Sequence, residues 1–451
     1  MEKTNNWVVR LECIDGDGSV IEASVIGQIV REIGSSDISG LGLGLAEGKE
    51  ILESLQREIV QRQVNAISRA NRTCGCCGLR RPLHDYLTKS VRTLFGKVYA
   101  RFPRFRRCRC KSEHLDTFTL SRSTPEFEHV VAELGARHSF REAAQILNLF
   151  LPTSSVINHT AVRSTLAEVA DRIEERQTKM PYRMSRSTKG PVSVFIDGSY
   201  VRAIPGYSTR HFEVVMGKVE TDTGRSFQFA SMPNVDTPKS QTILSGLKAQ
   251  GWLPGRDIVV FSDGDPNLAD AVRQASRSGV THILDWFHIA MRIQHIRQTC
   301  QSLVKVDEDD QLEFRFAARE LDQMRSNLWC GKVMTAQWLL CAAAGELRMV
   351  DRRRHPQRTV AKINRLAKMI IEFDRYLEIN EASIPDYADR YRRGLSVSSS
   401  RAESSSNSLV NRRMNKRQQM RWSPKGAHRV LQARVAVLDG RLSNGNFKVA
   451  A

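Results

Sequence analysis

Three short segments decide the fold: Val192-Ser193-Val194-Phe195-Ile196-Asp197-Gly198, Ile258-Val259-Val260-Phe261-Ser262-Asp263-Gly264 and His282-Ile283-Leu284-Asp285. Each is a short, largely apolar run that ends in an aspartate. Near-continuous apolar residues mark strands buried on both faces. Between the first two lie Phe212–Val219 and Ser226–Met232, joined by the turn Asp222-Thr223-Gly224, which predicts a hairpin. Helices are expected at 237–250 and 266–277. Three strands followed by alternating helix and strand fit a mixed sheet with helices on its faces, an α/β class.

Outward from this sheet the pattern changes. Residues 286–390 show almost no strand signal and read as an all-helical insertion. From 391 to 434 there are eleven Lys or Arg and a single acid, Glu403. Upstream, 178–191 is polar and basic with Pro181 and Pro191, a linker pattern. Residues 126–175 read as three helices, and five of the nine cysteines fall in 74–110. Ile51, Leu52, Leu55, Ile59 and Val60 recur at helical spacing in 45–70. Gly40-Leu41-Gly42-Leu43-Gly44 lacks the Gly-Lys-Ser/Thr of a phosphate-binding loop and reads as a flexible connection. Residues 8–25 read as one or two short strands around Asp15-Gly16-Asp17-Gly18. The chain thus divides into an N-terminal strand/helix region (1–70), a cysteine module (71–120), a helical module (121–178), the first part of the sheet domain (190–285), the insertion (286–390) and a basic completion of the core (391–451).

Sixty-eight Lys and Arg against 49 Asp and Glu give a net charge of +19 over 451 residues. An excess of that size points to an anionic polymer, nucleic acid first. No run of 18 or more apolar residues exists, so no membrane span is expected. The start, Met1-Glu2-Lys3-Thr4-Asn5-Asn6-Trp7, lacks a signal-peptide core, and a cytoplasmic, nucleoid-associated protein is expected. Reduced, clustered cysteines are then metal ligands rather than disulfides.

Metal-assisted phosphodiester chemistry needs a few carboxylates brought together from separate elements, because Mg²⁺ takes hard oxygen ligands and keeps waters. Asp197, Asp263 and Asp285 each follow a strand, the position where α/β sheets place ligand-binding groups. Taken singly, each is an ordinary turn residue. Glu403, alone in a basic stretch, is either a solvated salt-bridge partner or a ligand on a helix that grips phosphates.

Asp197-Gly198, Ser262-Asp263-Gly264, Asp285-Trp286-Phe287-His288 and the late Glu403, taken in order, resemble the signature of bacterial insertion-sequence DDE transposases, in the Mutator-related branch and most like the ISKra type. The resemblance covers roughly 190–435. It implies an RNase H-like core in which Asp197, Asp263 and Glu403 hold two Mg²⁺ or Mn²⁺ ions. Asp285 and His288 would match an Asp-x-x-His element, with His288 orienting substrate or the last acid, and Asp265 remains an alternative. The implied reaction is DNA cleavage followed by strand transfer at element ends, by a dimer or higher assembly on double-stranded DNA.

Cys74-Gly75-Cys76-Cys77-Gly78 and Cys108-Arg109-Cys110 flank an expected hairpin at 91–105. Paired cysteines some thirty residues apart suit a tetrahedral zinc-ribbon site. Cys74, Cys77, Cys108 and Cys110 are the chosen ligands, with Cys76 or His114 as replacements. In Tyr99-Ala100-Arg101-Phe102-Pro103-Arg104-Phe105-Arg106-Arg107, Phe102 and Phe105 are assigned to the core, and Arg101, Arg104, Arg106 and Arg107 to DNA phosphates. The helices of 126–175 resemble a helix-turn-helix, with Ala143-Ala144 under a third helix and Asn158, His159 and Arg163 as candidate readers. Three packed helices without a DNA role fit nearly as well. In the tail, Arg412, Arg413, Lys416, Arg417 and Arg421 are assigned to DNA. Trp422 is either a base-stacking ring or a core residue. Two other functions fit the same sequence: a zinc-dependent DNA-binding regulator with a dead RNase H-like domain, and another two-metal nuclease such as a Holliday-junction resolvase.

Overall fold

The computed structural model describes residues 4–32, 42–108, 110, 122–152, 156–179, 190–221, 226–232, 238–304, 311–398, 407–415 and 420–442. Two compact units form, built chiefly on Met1–Arg172 and on Ile173–Asp439.

In the first unit, β1 (Thr4–Ile14) and β2 (Val20–Glu32) form an antiparallel hairpin longer than the sequence suggests. Helix α1 (Leu45–Asn71) lies against it: a Cβ on Gly27 would stand 2.7 Å from Ile51. Strands β3 (Leu83–Thr93) and β4 (Gly96–Phe105) form a second hairpin, again longer than the predicted 91–105. Its inner face, Ala100 and Phe102, buries against Val64 and Val60 of α1. The expected helical trio is α2 (Pro125–Arg137), α3 (Phe140–Phe150) and α4 (His159–Thr178). Thr124 and Ser139 accept backbone N–H groups at the starts of α2 and α3, the usual role of such residues there. Ala143 and Ala144 are buried with Leu147 and Val162, as the small-residue pattern predicts.

The second unit is built on a five-stranded mixed sheet: β5 (Val192–Arg202), β6 (His211–Glu220), β7 (Ser226–Ser231), β8 (Ile258–Ser262) and β9 (Val280–Leu284), in the order β7-β6-β5-β8-β9. β5, β6 and β7 form an antiparallel meander, and β8 and β9 extend it in parallel. Helices α5 (Lys239–Ala249) and α6 (Pro266–Ser276) cover one face, packing on Val192, Val194, Ile196 and Val260. Alternation along the strand sends Phe195 and Phe261 to the other face, where their rings stack 4.8 Å apart.

That second face is continuous with the core of the helical insertion. Helices α7 (Trp286–Val304), α8 (Gln311–Trp329), α9 (Val333–Met349), α10 (Gln357–Ile379) and α11 (Tyr387–Arg392) share one apolar cluster with Phe195, Phe261, Ile283 and Leu284. A π-helical segment, Asn407–Asn415, follows, and α12 (Pro424–Leu438) packs beside β7, with Gln432 donating to the Ala230 carbonyl. No helix among the described residues is long and apolar enough to cross a membrane.

The tightest point of the sheet is Gly217, where a Cβ would stand 2.4 Å from the Phe195 carbonyl oxygen and 2.5 Å from the Phe229 ring. We expect Gly217→Ala to cost about 1–3 kcal/mol by overpacking. Gly48→Ala, in open space on α1, should instead gain about 0.5–1 kcal/mol from helix propensity. Urea denaturation of the two variants checks both signs.

Candidate functional site

The cysteine cluster assembles as the spacing predicts. The Sγ atoms of Cys74, Cys77, Cys108 and Cys110 all lie within 4.8 Å of one another. Cys74 and Cys110 are 3.5 Å apart, Cys77 and Cys108 3.1 Å. Four thiolates around Zn²⁺ at about 2.3 Å have sulfur–sulfur edges of about 3.8 Å, so the donors fit a tetrahedral zinc site. A tight turn makes half of it: the Gly78 N–H donates to the Cys74 carbonyl, and Gly78 adopts φ +69°. The sulfurs crowd without a compensating charge. Contact with Cys108 pushes the Cys77 thiol up to about 12, and contact with Cys110 raises that of Cys76. A dication bound there would favour the thiolate forms. Cys76 lies outside the four-sulfur cluster, and the alternative ligand His114 lies outside the described residues.

The acids converge at the edge of the parallel half of the sheet. The sequence places Asp197 at a strand end, and here the structure differs. β5 runs on to Arg202, because its outer half continues pairing with β6 (Asp197 opposite Met216) after parallel pairing with β8 ends at Phe195. Alternation puts Asp197 on the Phe195 side, facing the insertion. Asp263 directly follows β8, and Asp285 follows β9, 1% exposed. One oxygen of each acid accepts a backbone N–H: Asp197 from Gly198 at 2.8 Å, Asp263 from Asp265 at 3.1 Å, Asp285 from Phe287 at 2.9 Å. The Asp285 bond also caps α7, whose first turn carries His288 with its Nε2 3.8 Å from the Asp285 carboxylate. Asp265 instead caps α6 through the Asn267 N–H.

Asp197 feels this company. Burial raises its pKa most, the neighbouring Asp263 and Asp285 raise it further, and His288 opposes them. A half-buried carboxylate made costly by its own neighbours is the usual condition of a cation-binding or proton-handling group.

The insertion clamps the loops that carry these acids, a part that sequence reading missed. Tyr376 on α10 donates its hydroxyl to the Asp263 carbonyl at 2.7 Å, and Tyr387 on α11 donates to the Leu284 carbonyl at 2.6 Å. Burial raises both phenols, so they stay protonated donors. Arg292, one turn after His288, lies over the Tyr376 ring at 4.3 Å. His282 bridges Ser262 (2.8 Å) and Ser383 (2.9 Å). Gly264, at φ +100°, sits where a Cβ would strike Asn380. None of these residues carries a local signal, because the partners are about a hundred residues apart. The Asp-Gly pair at 263–264 is the one trace, marking where backbone must pass close to the insertion.

Glu403, Lys416 and Arg417 lie outside the described residues. Two described segments flank the residues around Glu403. The Val397 carbonyl accepts the Trp286 N–H at 3.3 Å, and Asn407–Asn415 packs on β5. Arg412 and Arg421 are exposed. Arg413, assigned to DNA, is buried instead, and Trp422, for which a base-stacking and a core place were both open, is buried too, with the guanidinium 5.2 Å over the indole. Trp422 donates its N–H to the Arg202 carbonyl and accepts from Ile204, so it extends the end of β5 as a core residue. Of the hairpin arginines, Arg104 pairs with Asp85 and Arg101 lies 4.0 Å over Tyr86, while Arg106 and Arg107 are exposed. Phe102 is buried, and Phe105 lies between Arg72 and Arg81. Asn158 caps α4 through the Ala161 N–H, and His159 and Arg163 are exposed.

No family model matches the chain, and no curated protein matches it in sequence. Among solved structures, the Drosophila P element transposase strand transfer complex aligns over 69% of this chain and 78% of that one, at 12% identity and a TM-score of 0.22. A likeness of that size defines neither the fold nor the activity.

Two outcomes follow. Cys74→Ser and Cys110→Ser should each release bound zinc, read as stoichiometry below about half of wild type by metal analysis and a lower melting temperature. Asp197 has a folded pKa above its unfolded value, so its stabilising protonation is fully present below the unfolded pKa and lost as pH rises through the folded one. The metal-free protein should therefore be stabilised by Asp197→Asn at pH 7, with the gain vanishing near pH 4, as measured by urea denaturation at the two pH values.

Proposed function

We propose that this chain is a DNA transposase of the DDE type, with an RNase H-like core that cleaves and joins DNA at the ends of an insertion sequence. The observation that carries the reading is the gathering of Asp197, Asp263, Asp285 and His288 at one sheet edge. There, Asp263 and Asp285 raise the pKa of the half-buried Asp197 and His288 opposes them, so positive charge favours its ionised form. The sheet order, an antiparallel meander extended by two parallel strands, supports an RNase H-like core. So does the helical body between the third aspartate and Glu403.

In this reading Asp197, Asp263 and Glu403 hold Mg²⁺ or Mn²⁺. The ions would activate the attacking oxygen and neutralise charge on the phosphate. The protein itself does positioning. Backbone N–H groups fix one oxygen of each aspartate, Tyr376 and Tyr387 hold the loops, and Asp285 orients His288 toward the acids. The anchoring of Val397 and of Asn407–Asn415 on either side of Glu403 supports its place as the third ligand. The cysteine module and the α2–α4 trio would read element ends as double-stranded DNA, with Arg106, Arg107, His159, Arg163, Arg412 and Arg421 as exposed contacts. Paired ends call for a dimer or higher assembly. The six-segment division of the chain belongs to the same reading.

The test incubates the purified protein with labelled DNA carrying the element ends, with Mg²⁺, Mn²⁺ or chelator. Metal-dependent nicking or joining is expected, and Asp197→Ala and Glu403→Gln should each lower it by roughly a thousandfold, the scale of several kcal/mol of charge stabilisation, with DNA binding kept. Cleavage that survives Asp197→Ala defeats the assignment. Binding without cleavage under both metals leaves the regulator.

A further inference from the structure

The β3–β4 hairpin has two faces, and among the described residues the inner one packs on α1. Val91, Val98, Ala100 and Phe102 point inward and are buried. The outer face carries Tyr86 and Arg92 on β3, and Lys97, Tyr99 and Arg101 on β4. Both tyrosines are well exposed, at 48% and 59%. Each carries a cation on its ring: the Arg101 guanidinium 4.0 Å from the Tyr86 centroid, and the Lys97 ammonium 4.9 Å from that of Tyr99. Arg92 and Lys97 are direct cross-strand partners. The rest of the face, Thr88, Ser90 and Pro103, contains no acid.

Duplex DNA offers such a surface phosphates but no base faces, because its bases are stacked on one another. Exposed rings with cations alongside match an unpaired strand, whose bases can stack while the phosphates meet Arg92, Lys97 and Arg101. The support is rigid. α1 backs the inner face, and the chain enters and leaves the hairpin through the four-cysteine cluster. At its tip the face meets Asn158 at the start of α4, across a small cleft lined by Arg92, Lys97 and Asn158.

We infer that the outer face of this hairpin binds single-stranded DNA, with Tyr86 and Tyr99 as stacking platforms and Arg92, Lys97 and Arg101 on the backbone. The site is separate from the acidic edge and stands whether or not that edge cleaves DNA.

The experiment measures fluorescence anisotropy of a labelled oligothymidylate, a duplex and an RNA of equal length, each with the full-length, zinc-loaded protein. The double variant Tyr86→Ala/Tyr99→Ala should weaken oligothymidylate binding at least about tenfold and leave duplex binding within about twofold, while Tyr86→Phe/Tyr99→Phe retains it. Arg92→Ala/Lys97→Ala should flatten the salt dependence of oligothymidylate binding by about 1.4 in log–log slope. Zinc content and circular dichroism show that each variant is folded. Oligothymidylate affinity unchanged in the alanine pair overturns the proposal. So does an equal loss for duplex, which would make the face a duplex phosphate surface, and so does tighter binding of RNA than of DNA.

Discussion

Carboxylates that share a half-buried space repel one another, and burial makes each charge dearer still. The second unit is organised around holding three of them in place against that repulsion. Each aspartate follows or interrupts a strand packed on both faces, so its backbone cannot retreat. Each gives one oxygen to a backbone N–H within two residues. The insertion then ties down the loops with hydroxyl donors too deeply buried to ionise near neutrality.

This explains what could be read from sequence and what could not. The strands at 192–196, 258–261 and 282–284 were legible because strands buried on both faces need near-continuous apolar runs, and the acids were legible as the polar residues that end them. The length of β5 was not, since Gly198-Ser199-Tyr200 has no apolar periodicity and is held by pairing with β6 alone. The four-cysteine cluster was legible because four thiols at paired spacing have few other uses. Arg413 misled, and Trp422 took the core place that was one of its two readings. A basic run looks like a phosphate grip, yet these two stack on each other in the core at the end of β5, a contact no local pattern encodes. Asp265, left as an alternative, caps α6 through the Asn267 N–H.

The first unit obeys a different economy. Its hairpins are two-stranded, a size that is marginal alone. α1 backs both, and the sulfur cluster closes the base of the second. On the outer face of β3–β4, Arg101 and Lys97 lie over the exposed rings of Tyr86 and Tyr99.

The clamps between sheet and insertion also fix an order of assembly. Tyr376 reaches Asp263 across 113 residues, Tyr387 reaches Leu284 across 103, and Ser383 reaches His282 across 101. Contacts that close such long loops form late, because their entropy must be met before they stabilise anything. The local hairpins and helical trio of the first unit have no such wait. During synthesis, the N-terminal modules can be complete while the acidic edge is still unsupported, and that edge becomes ordered only after α11 has been made. The polypeptide thus completes its cysteine module and helical trio before it acquires a formed acidic centre.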